Sequence, residues 1–123
     1  MAVLLDEVDG EMFFQVMLEA HSLRMSVANW LETLLVLQGM KQPAIVDEFD
    51  SLVAELGVEL VPVDVGQAWL AREAGGRFGR KHHKAQLNYG DCFAYALSKQ
   101  TREPLLFKGD DFAQTDIAPA LPR

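Results

Sequence analysis

The stretch "VELVPVDVGQAW" (residues 58–69) decides the fold class of this chain. Its first six residues are rich in valine and begin with alternating apolar and polar positions, which is typical of a β-strand. Asp64 follows the strand and is a favourable helix N-cap residue. The residues after it place Ala68, Trp69 and Arg72 along one side of a helix. A strand that leads through a capping residue into a helix is the repeating step of an α/β fold.

Strands and helices alternate in the same way on the N-terminal side of this stretch. "LRMSV" (23–27) predicts a short strand, and Ser26 can cap a following helix that Gly39 closes. That helix is apolar nearly all round, which predicts that it is buried. Pro43 suits the first turn of the next helix, which keeps its apolar periodicity up to Gly57.

The remaining segments complete the alternation. Met12–Ala20 has an apolar helical face, the region before Asn88 predicts a basic loop or a frayed helix end, and Asn88 opens a further helix. "PLLF" (104–107) predicts a short buried strand. Because most strands are apolar on both sides, the pattern predicts one α/β domain over residues 1–123, a sandwich with a parallel sheet flanked by helices.

Composition and charge narrow the class of protein. The 123 residues, half of them hydrophobic, are enough for one core. No apolar stretch approaches the roughly 20 residues of a membrane span, and the N-terminus lacks the basic region of a secretory signal. The single cysteine, Cys92, fits a reducing compartment, so we expect a cytoplasmic protein. The net charge of −7 argues weakly against a general nucleic-acid binder.

Three carboxylates fall where parallel sheets gather functional groups. Glu32 follows the strand 23–27, Asp111 follows the strand 104–107, and Asp91 lies in the first turn of the last long helix. Sites in such sheets form outside the carboxyl ends of the strands, so all three acids can reach one crevice. Their oxygens are the ligands that Mg²⁺ or Mn²⁺ accepts.

Each acid also has a purely structural explanation. Asp91 lies three residues after Asn88, close to a capping box, and acids favour the first turn of a helix. An ion pair with Arg24 or Arg72 would offset the cost of burying Glu32. Helix capping is the corresponding explanation for Asp110 and Asp111, whereas the residues around Asp116 favour neither role. Taken together, the placement of the acids favours a metal-binding site over separate structural roles.

The compact basic segment "RFGRKHHK" (77–84) contrasts with the acidic total. It is either a solvated loop or a surface that contacts phosphates beside an acidic crevice. The residues that would contact phosphates are Arg77, Arg80, Lys81 and Lys84. His82 and His83 are adjacent and lack the spacing of metal ligands, and Cys92 has no base beside it and is expected in the core.

Two motifs carry a family resemblance. "LNYGDCFAYALSK" (87–99) and "PLLFKGDDFAQTDI" (104–117) together resemble the C-terminal half of PIN-domain ribonucleases of the VapC toxin type. "AREAGGRFGRKHHKAQ" (71–86) is similar to the helix and basic loop that precede those motifs in the family. "SVANWLETLLVL" (26–37) is similar to the segment that supplies a glutamate.

The resemblance implies a PIN-like three-layer sandwich and an endoribonuclease that depends on Mg²⁺ or Mn²⁺. Such an ion would activate a water and stabilise charge during attack on a phosphodiester. The family acids correspond to Glu32, Asp91 and Asp111, with Asp116 as a neighbour in the metal shell and Asn88 shaping the site. The implied partners are an RNA substrate, a second copy of the chain in a homodimer, and a cognate antitoxin that lies across the acidic groove.

The start of the chain departs from the family pattern. Relatives begin with a strand ending in an aspartate that supplies the first ligand, whereas "MAVLLDEVDGEMFF" (1–14) resembles the stretch after that strand. Asp6 is the candidate substitute, although its spacing to Glu32 is too short for the family. The two main hypotheses are therefore an active ribonuclease and a catalytically weakened PIN-like module that only dimerises or binds an antitoxin. An unrelated α/β small-molecule binder, whose acids are caps, is the third.

Overall fold

The computed structural model describes residues 15, 17–19, 22–79, 87–106, 115–117 and 119. Its elements in chain order are β1 (Arg24–Ser26), α1 (Val27–Gly39), α2 (Pro43–Glu55), β2 (Glu59–Val61), α3 (Val65–Phe78) and α4 (Tyr89–Thr101). Residues 15 and 17–19 are also helical, within the predicted N-terminal helix. The fold is the predicted α/β arrangement, with a parallel sheet flanked by helices. The chain divides into two compact units, one within Met1–Met25 and Trp30–Val61, the other within Ser26–Asn29 and Pro62–Arg123.

The first unit contains β2 and the first two residues of β1. The predicted strands at 23–27 and 58–63 are confirmed as β1 and β2, which are neighbours in the sheet. The Glu59 N–H donates to the carbonyl of Leu23 at 2.9 Å. Arg24 Nε lies 3.2 Å from Glu59 Oε2, so an ion pair accompanies the backbone pairing.

Helix α2 follows the predicted signals closely. Pro43 occupies its first turn, where the missing N–H costs nothing because it would have no helical partner. Phe49 is its buried side chain. Gly57 follows the helix with φ +62°, in the left-handed region that glycine enters without steric cost.

The structure contradicts the predicted burial of α1. Among its residues Leu37 is buried, at 1% exposure. Three large apolar side chains are instead 49%, 59% and 56% exposed: Leu31, Leu35 and Val36. An apolar composition shows that a helix favours apolar surroundings, but it does not show that the same chain supplies them.

The second unit is built on α3 and α4, which pack against each other. Its core consists of the buried residues Ala74, Phe78, Leu87, Tyr95 and Ile117. The rings of Phe78 and Tyr95 lie 5.8 Å apart in a tilted arrangement, a spacing at which aromatic pairs attract beyond their burial. Cys92 packs against this core, as predicted.

Two isolated parallel bridges close the second unit, Gly79 with Leu87 and Leu105 with Pro119. Helix α3 continues to Phe78, so the first part of the predicted basic loop is helical. The predicted strand 104–107 is represented among the described residues by the single bridge at Leu105, while Phe107 lies outside them. A short apolar run matches a strand pattern even where few of its residues find a partner to pair with.

No helix in the described ranges is both long enough and apolar enough to span a bilayer.

Candidate functional site

The first turn of α4 is the best defined part of the candidate site. Asn88 Oδ1 accepts a hydrogen bond from the Asp91 N–H at 2.8 Å, and Asp91 Oδ2 accepts one from the Asn88 N–H at 3.0 Å. This is a complete capping box, the structural explanation that the sequence offers for Asp91. Capping and metal binding are compatible here, because a carboxylate offers about four acceptor positions.

Asn29 connects the first turn of α1 to this capping box. Its Nδ2 donates to the carbonyl oxygen of Gly90 at 2.9 Å. Gly90 is buried and directly precedes Asp91, so the bond holds the backbone beside the candidate ligand. The sequence interpretation missed Asn29, and the available signal was an amide among apolar residues at the start of a helix.

Glu32 lies on α1 and is exposed, so it does not require a buried partner. Neither arginine suggested for that role pairs with it. Arg24 contacts Glu59, and the guanidinium of Arg72 lies 5.0 Å from the ring centroid of Trp69. Within the described ranges Glu32 forms no ion pair. The explanation of Glu32 as half of a buried ion pair is therefore wrong.

Asp116 is the centre of a cluster on α3 and α4. The Tyr95 hydroxyl donates to Oδ1 at 2.9 Å. Lys99 Nζ lies 2.6 Å from Oδ2, and Arg77 Nη1 lies 3.6 Å from the same oxygen. The Lys99 and Asp116 side chains are each 35% exposed. Tyr95 and Lys99 were not predicted to belong to the site, because nothing in the local sequence shows that Asp116 folds back onto them.

The cluster shifts the pKa values of its members. Partial burial alone would raise the pKa of Asp116, but the hydrogen bonds from Lys99 and Tyr95 outweigh it and hold that pKa below its ordinary 3.8. Burial, and then the bond to Asp116, raise the pKa of Tyr95, so the phenol remains a donor. Burial and the neighbouring Asp91 also raise the pKa of the Cys92 thiol, which suits a packing residue better than a nucleophile.

Arg77 is the member of the predicted RNA-contacting set that the structure describes. Its Nη1 lies 3.2 Å from Glu73 Oε1, one helical turn earlier, and its side chain remains 48% exposed. The other predicted residues lie outside the described ranges: Asp6, Arg80, Lys81, Lys84, Asp110 and Asp111. In the described part of the chain, no group of three or more His, Cys, Asp or Glu side chains is placed to hold a metal ion.

Comparison with known proteins gives a consistent result. The sequence profile of the PIN domain matches residues 1–118. Ribonuclease VapC30 of Mycobacterium tuberculosis is 45% identical over 117 residues, which cover 95% of this chain and 89% of that protein. Ribonuclease VapC of Mycolicibacterium smegmatis is 43% identical over 117 residues, covering 95% and 91%. Ribonuclease VapC28 of M. tuberculosis is 42% identical over 123 residues, covering 99% and 92%.

These matches extend over almost the whole chain and agree with the resemblance of the two C-terminal motifs. They contradict the hypothesis of an unrelated α/β small-molecule binder. The chain belongs to the PIN-domain family.

Proposed function

We propose that this chain is a metal-dependent endoribonuclease toxin, which hydrolyses RNA phosphodiester bonds and is inhibited by a cognate antitoxin. The observation that carries the proposal is the match of the PIN-domain profile and of relatives named ribonucleases over almost the whole chain, and the capping box between Asn88 and Asp91 adds a fixed candidate ligand. The box holds a carboxylate in one position before any ligand arrives. Such preorganisation lowers the cost of assembling a charged site.

The chemistry of the proposed ligands fits a divalent cation. We propose that Glu32, Asp91 and Asp111 bind it, because Mg²⁺ and Mn²⁺ prefer carboxylate oxygens. The position of Asp91 in the first turn of α4 also favours the charged carboxylate through the helix dipole. When bound, the ion would activate a water and stabilise the charge that develops on the phosphate.

The residues around Asp91 have positioning roles in this proposal. Asn88 uses both its side chain and its N–H to hold Asp91. Asn29 holds the carbonyl of Gly90 and Asn88 holds the N–H of Asp91, so both ends of the peptide group that precedes the candidate ligand are fixed. Asp116, the fourth acid expected near the ion, lies against Lys99.

The proposed macromolecular contacts use other surfaces. We propose that the basic segment binds RNA phosphates through Arg77, Arg80, Lys81 and Lys84, and the exposure of Arg77 is compatible with this role. The exposed apolar side chains of α1 support a protein partner, either the antitoxin or a second copy of the chain. We propose that the chain acts as one PIN-like domain in the cytoplasm.

The test is cleavage of a mixed RNA pool by the full chain in Mg²⁺ or Mn²⁺, compared with chelator. Asp91→Asn is the decisive variant, because asparagine can still cap the helix but lacks the ligand charge. Asp64→Asn is the matched control, since Asp64 also caps a helix, with Oδ1 accepting from the Gln67 N–H at 2.8 Å, but is not a proposed ligand.

We expect metal-dependent cleavage by the wild-type chain and by Asp64→Asn, and none by Asp91→Asn. Unchanged cleavage by Asp91→Asn would remove Asp91 from the catalytic set. A folded wild-type chain that cuts no RNA under any metal condition would contradict the ribonuclease proposal and leave the weakened PIN-like module as the better description.

A further inference from the structure

Asp116 is expected among the metal ligands, but its carboxylate already has a cation. Lys99 Nζ contacts Oδ2 at 2.6 Å, a close charge-assisted contact, and Arg77 adds a second positive group at 3.6 Å. Oδ1 is occupied by the Tyr95 hydroxyl at 2.9 Å. Both oxygens therefore have a donor from the chain itself.

The contacts of Asp116 fasten the C-terminal segment to α3 and α4. Arg77 belongs to α3, while Tyr95 and Lys99 belong to α4. The residue after Asp116, Ile117, is buried in the same core as Tyr95. A buried apolar side chain and a polar contact thus anchor adjacent residues of one short segment.

The partners of Asp116 are themselves held in place. Tyr95 is 1% exposed, and its ring packs against Phe78. Lys99 Nζ lies 5.7 Å from the centroid of the Tyr95 ring, which adds a cation–π contact to the ion pair. A buried tyrosine with few accessible rotamers is a rigid donor, so its hydroxyl defines where the carboxylate must lie.

We propose that Tyr95 and Lys99 are positioning residues, which hold Asp116 as the anchor of the C-terminal segment rather than as a direct metal ligand. In sequence, this anchor follows the stretch that carries the proposed ligand Asp111, so it would fix the end of that stretch. This inference rests on the proposed function for its consequence at the metal, but the anchor itself is a property of the folded chain.

Two roles for Asp116 predict opposite effects of Lys99→Met. If Asp116 is a direct ligand, Lys99 competes with the metal, and its removal raises the affinity for Mn²⁺. If Asp116 is the anchor, removal of Lys99 loosens the segment and lowers that affinity. Lys99→Arg retains the charge and should restore the wild-type behaviour in the anchor case.

The experiment measures the Tm in chelator and the Mn²⁺ affinity by calorimetry, at a temperature where circular dichroism shows every variant to be folded. The variants are Tyr95→Phe, Lys99→Met, Lys99→Arg, Asp116→Asn and the double variant Lys99→Met with Asp116→Asn. Arg72→Met is the control for the loss of a positive charge, because Arg72 contacts Trp69 rather than Asp116.

We expect Lys99→Met and Asp116→Asn each to lower the Tm by about 4 °C, and the double variant to lower it by less than the sum. We also expect Lys99→Met to weaken Mn²⁺ binding by about 10-fold, as for other residues that orient metal ligands. Additive losses of Tm, or tighter Mn²⁺ binding by Lys99→Met, would overturn the inference. Failure of the wild-type chain to bind Mn²⁺ would count against the proposed function. The non-additive Tm losses of Lys99→Met and Asp116→Asn in chelator would still show whether Lys99 holds Asp116.

Discussion

Asn29 Nδ2 donates a hydrogen bond of 2.9 Å to the carbonyl oxygen of Gly90, the residue immediately before Asp91. Gly90 is buried and helical, so its carbonyl also accepts the N–H one turn later in α4, and Asn29 supplies a second donor from outside that helix. The bond therefore makes the first turn of α4 dependent on a side chain from a distant part of the sequence.

Replacing Asn29 with alanine should destabilise the chain through this carbonyl. We expect Asn29→Ala to lower the free energy of unfolding by about 0.5–1.5 kcal/mol, the contribution of one hydrogen bond, and to reduce metal-dependent cleavage as well. Denaturant unfolding is the measurement, and Gln38→Ala, at an exposed position of the same helix, is the control. Equal stabilities of the two variants would show that the Gly90 carbonyl does not depend on Asn29.

Glu32 is exposed, so its replacement tests catalysis without disturbing the fold. We expect Glu32→Gln to reduce cleavage by at least about 100-fold, the upper range for partners that only orient metal ligands. Stability should change by no more than about 0.5 kcal/mol, as for most surface positions. Glu48→Gln, at an exposed site on α2, is the control for cleavage and thermal melting. A Glu32→Gln variant that cuts RNA as fast as Glu48→Gln would rule out a ligand role.

Gly79 ends α3 where another backbone group comes very close. A Cβ at this position would lie 2.3 Å from the carbonyl oxygen of Gly75, to which the Gly79 N–H also donates. We expect Gly79→Ala to destabilise the chain by about 1–3 kcal/mol, as in other overpacked sites. Gly76→Ala should instead be stabilising by up to about 1 kcal/mol, because Gly76 is helical and has open space around it. Denaturant unfolding of the two variants gives their free energies of unfolding. A Gly79→Ala variant that is more stable than Gly76→Ala would contradict the prediction.

The Asp116 cluster predicts a loss of stability in acid. The pKa of Asp116 is lower in the folded chain than its ordinary 3.8, so the carboxylate stabilises the fold above that pH. The contribution disappears as the pH falls through the lowered pKa. We expect the stability difference between the wild-type chain and Asp116→Asn to be constant above about pH 5 and to shrink below pH 3.8. The measurement is the free energy of unfolding of both chains across this pH range in chelator. A stability difference that grows in acid would show that folding raises the pKa of Asp116 instead of lowering it.

The helix boundaries could be predicted from the sequence because their causes are local. Asp64 and Asn88 accept hydrogen bonds from backbone N–H groups three residues later, and Pro43 needs no donor in a first turn. These requirements are met within a few residues, so the pattern alone contains the information. The same applies to the proximity of Asn88 and Asp91, which is fixed once the helix forms.

The surroundings of the candidate site could not be predicted in the same way. The exposure of Glu32 depends on which elements cover α1, and the contact of Asp116 with Lys99 depends on how the chain returns to α4. A carboxylate that binds lysine and one that binds a metal ion have the same appearance in a sequence. Only the packing of residues that are distant in sequence distinguishes the two kinds of carboxylate. No short sequence pattern describes such packing.

The parallel bridge between Gly79 and Leu87, with its 2.8 Å hydrogen bond from the Leu87 N–H to the Phe78 carbonyl, has an evolutionary consequence. It joins the two ends of the stretch 80–86, which contains most of the basic residues proposed to contact RNA. Both ends are fixed by backbone atoms and by the buried side chains of Phe78 and Leu87, and none of these atoms belongs to the side chains of residues 80–86. A lineage could therefore alter substrate preference by substitutions at positions 80–86 without replacing any of the atoms that join the end of α3 to Leu87.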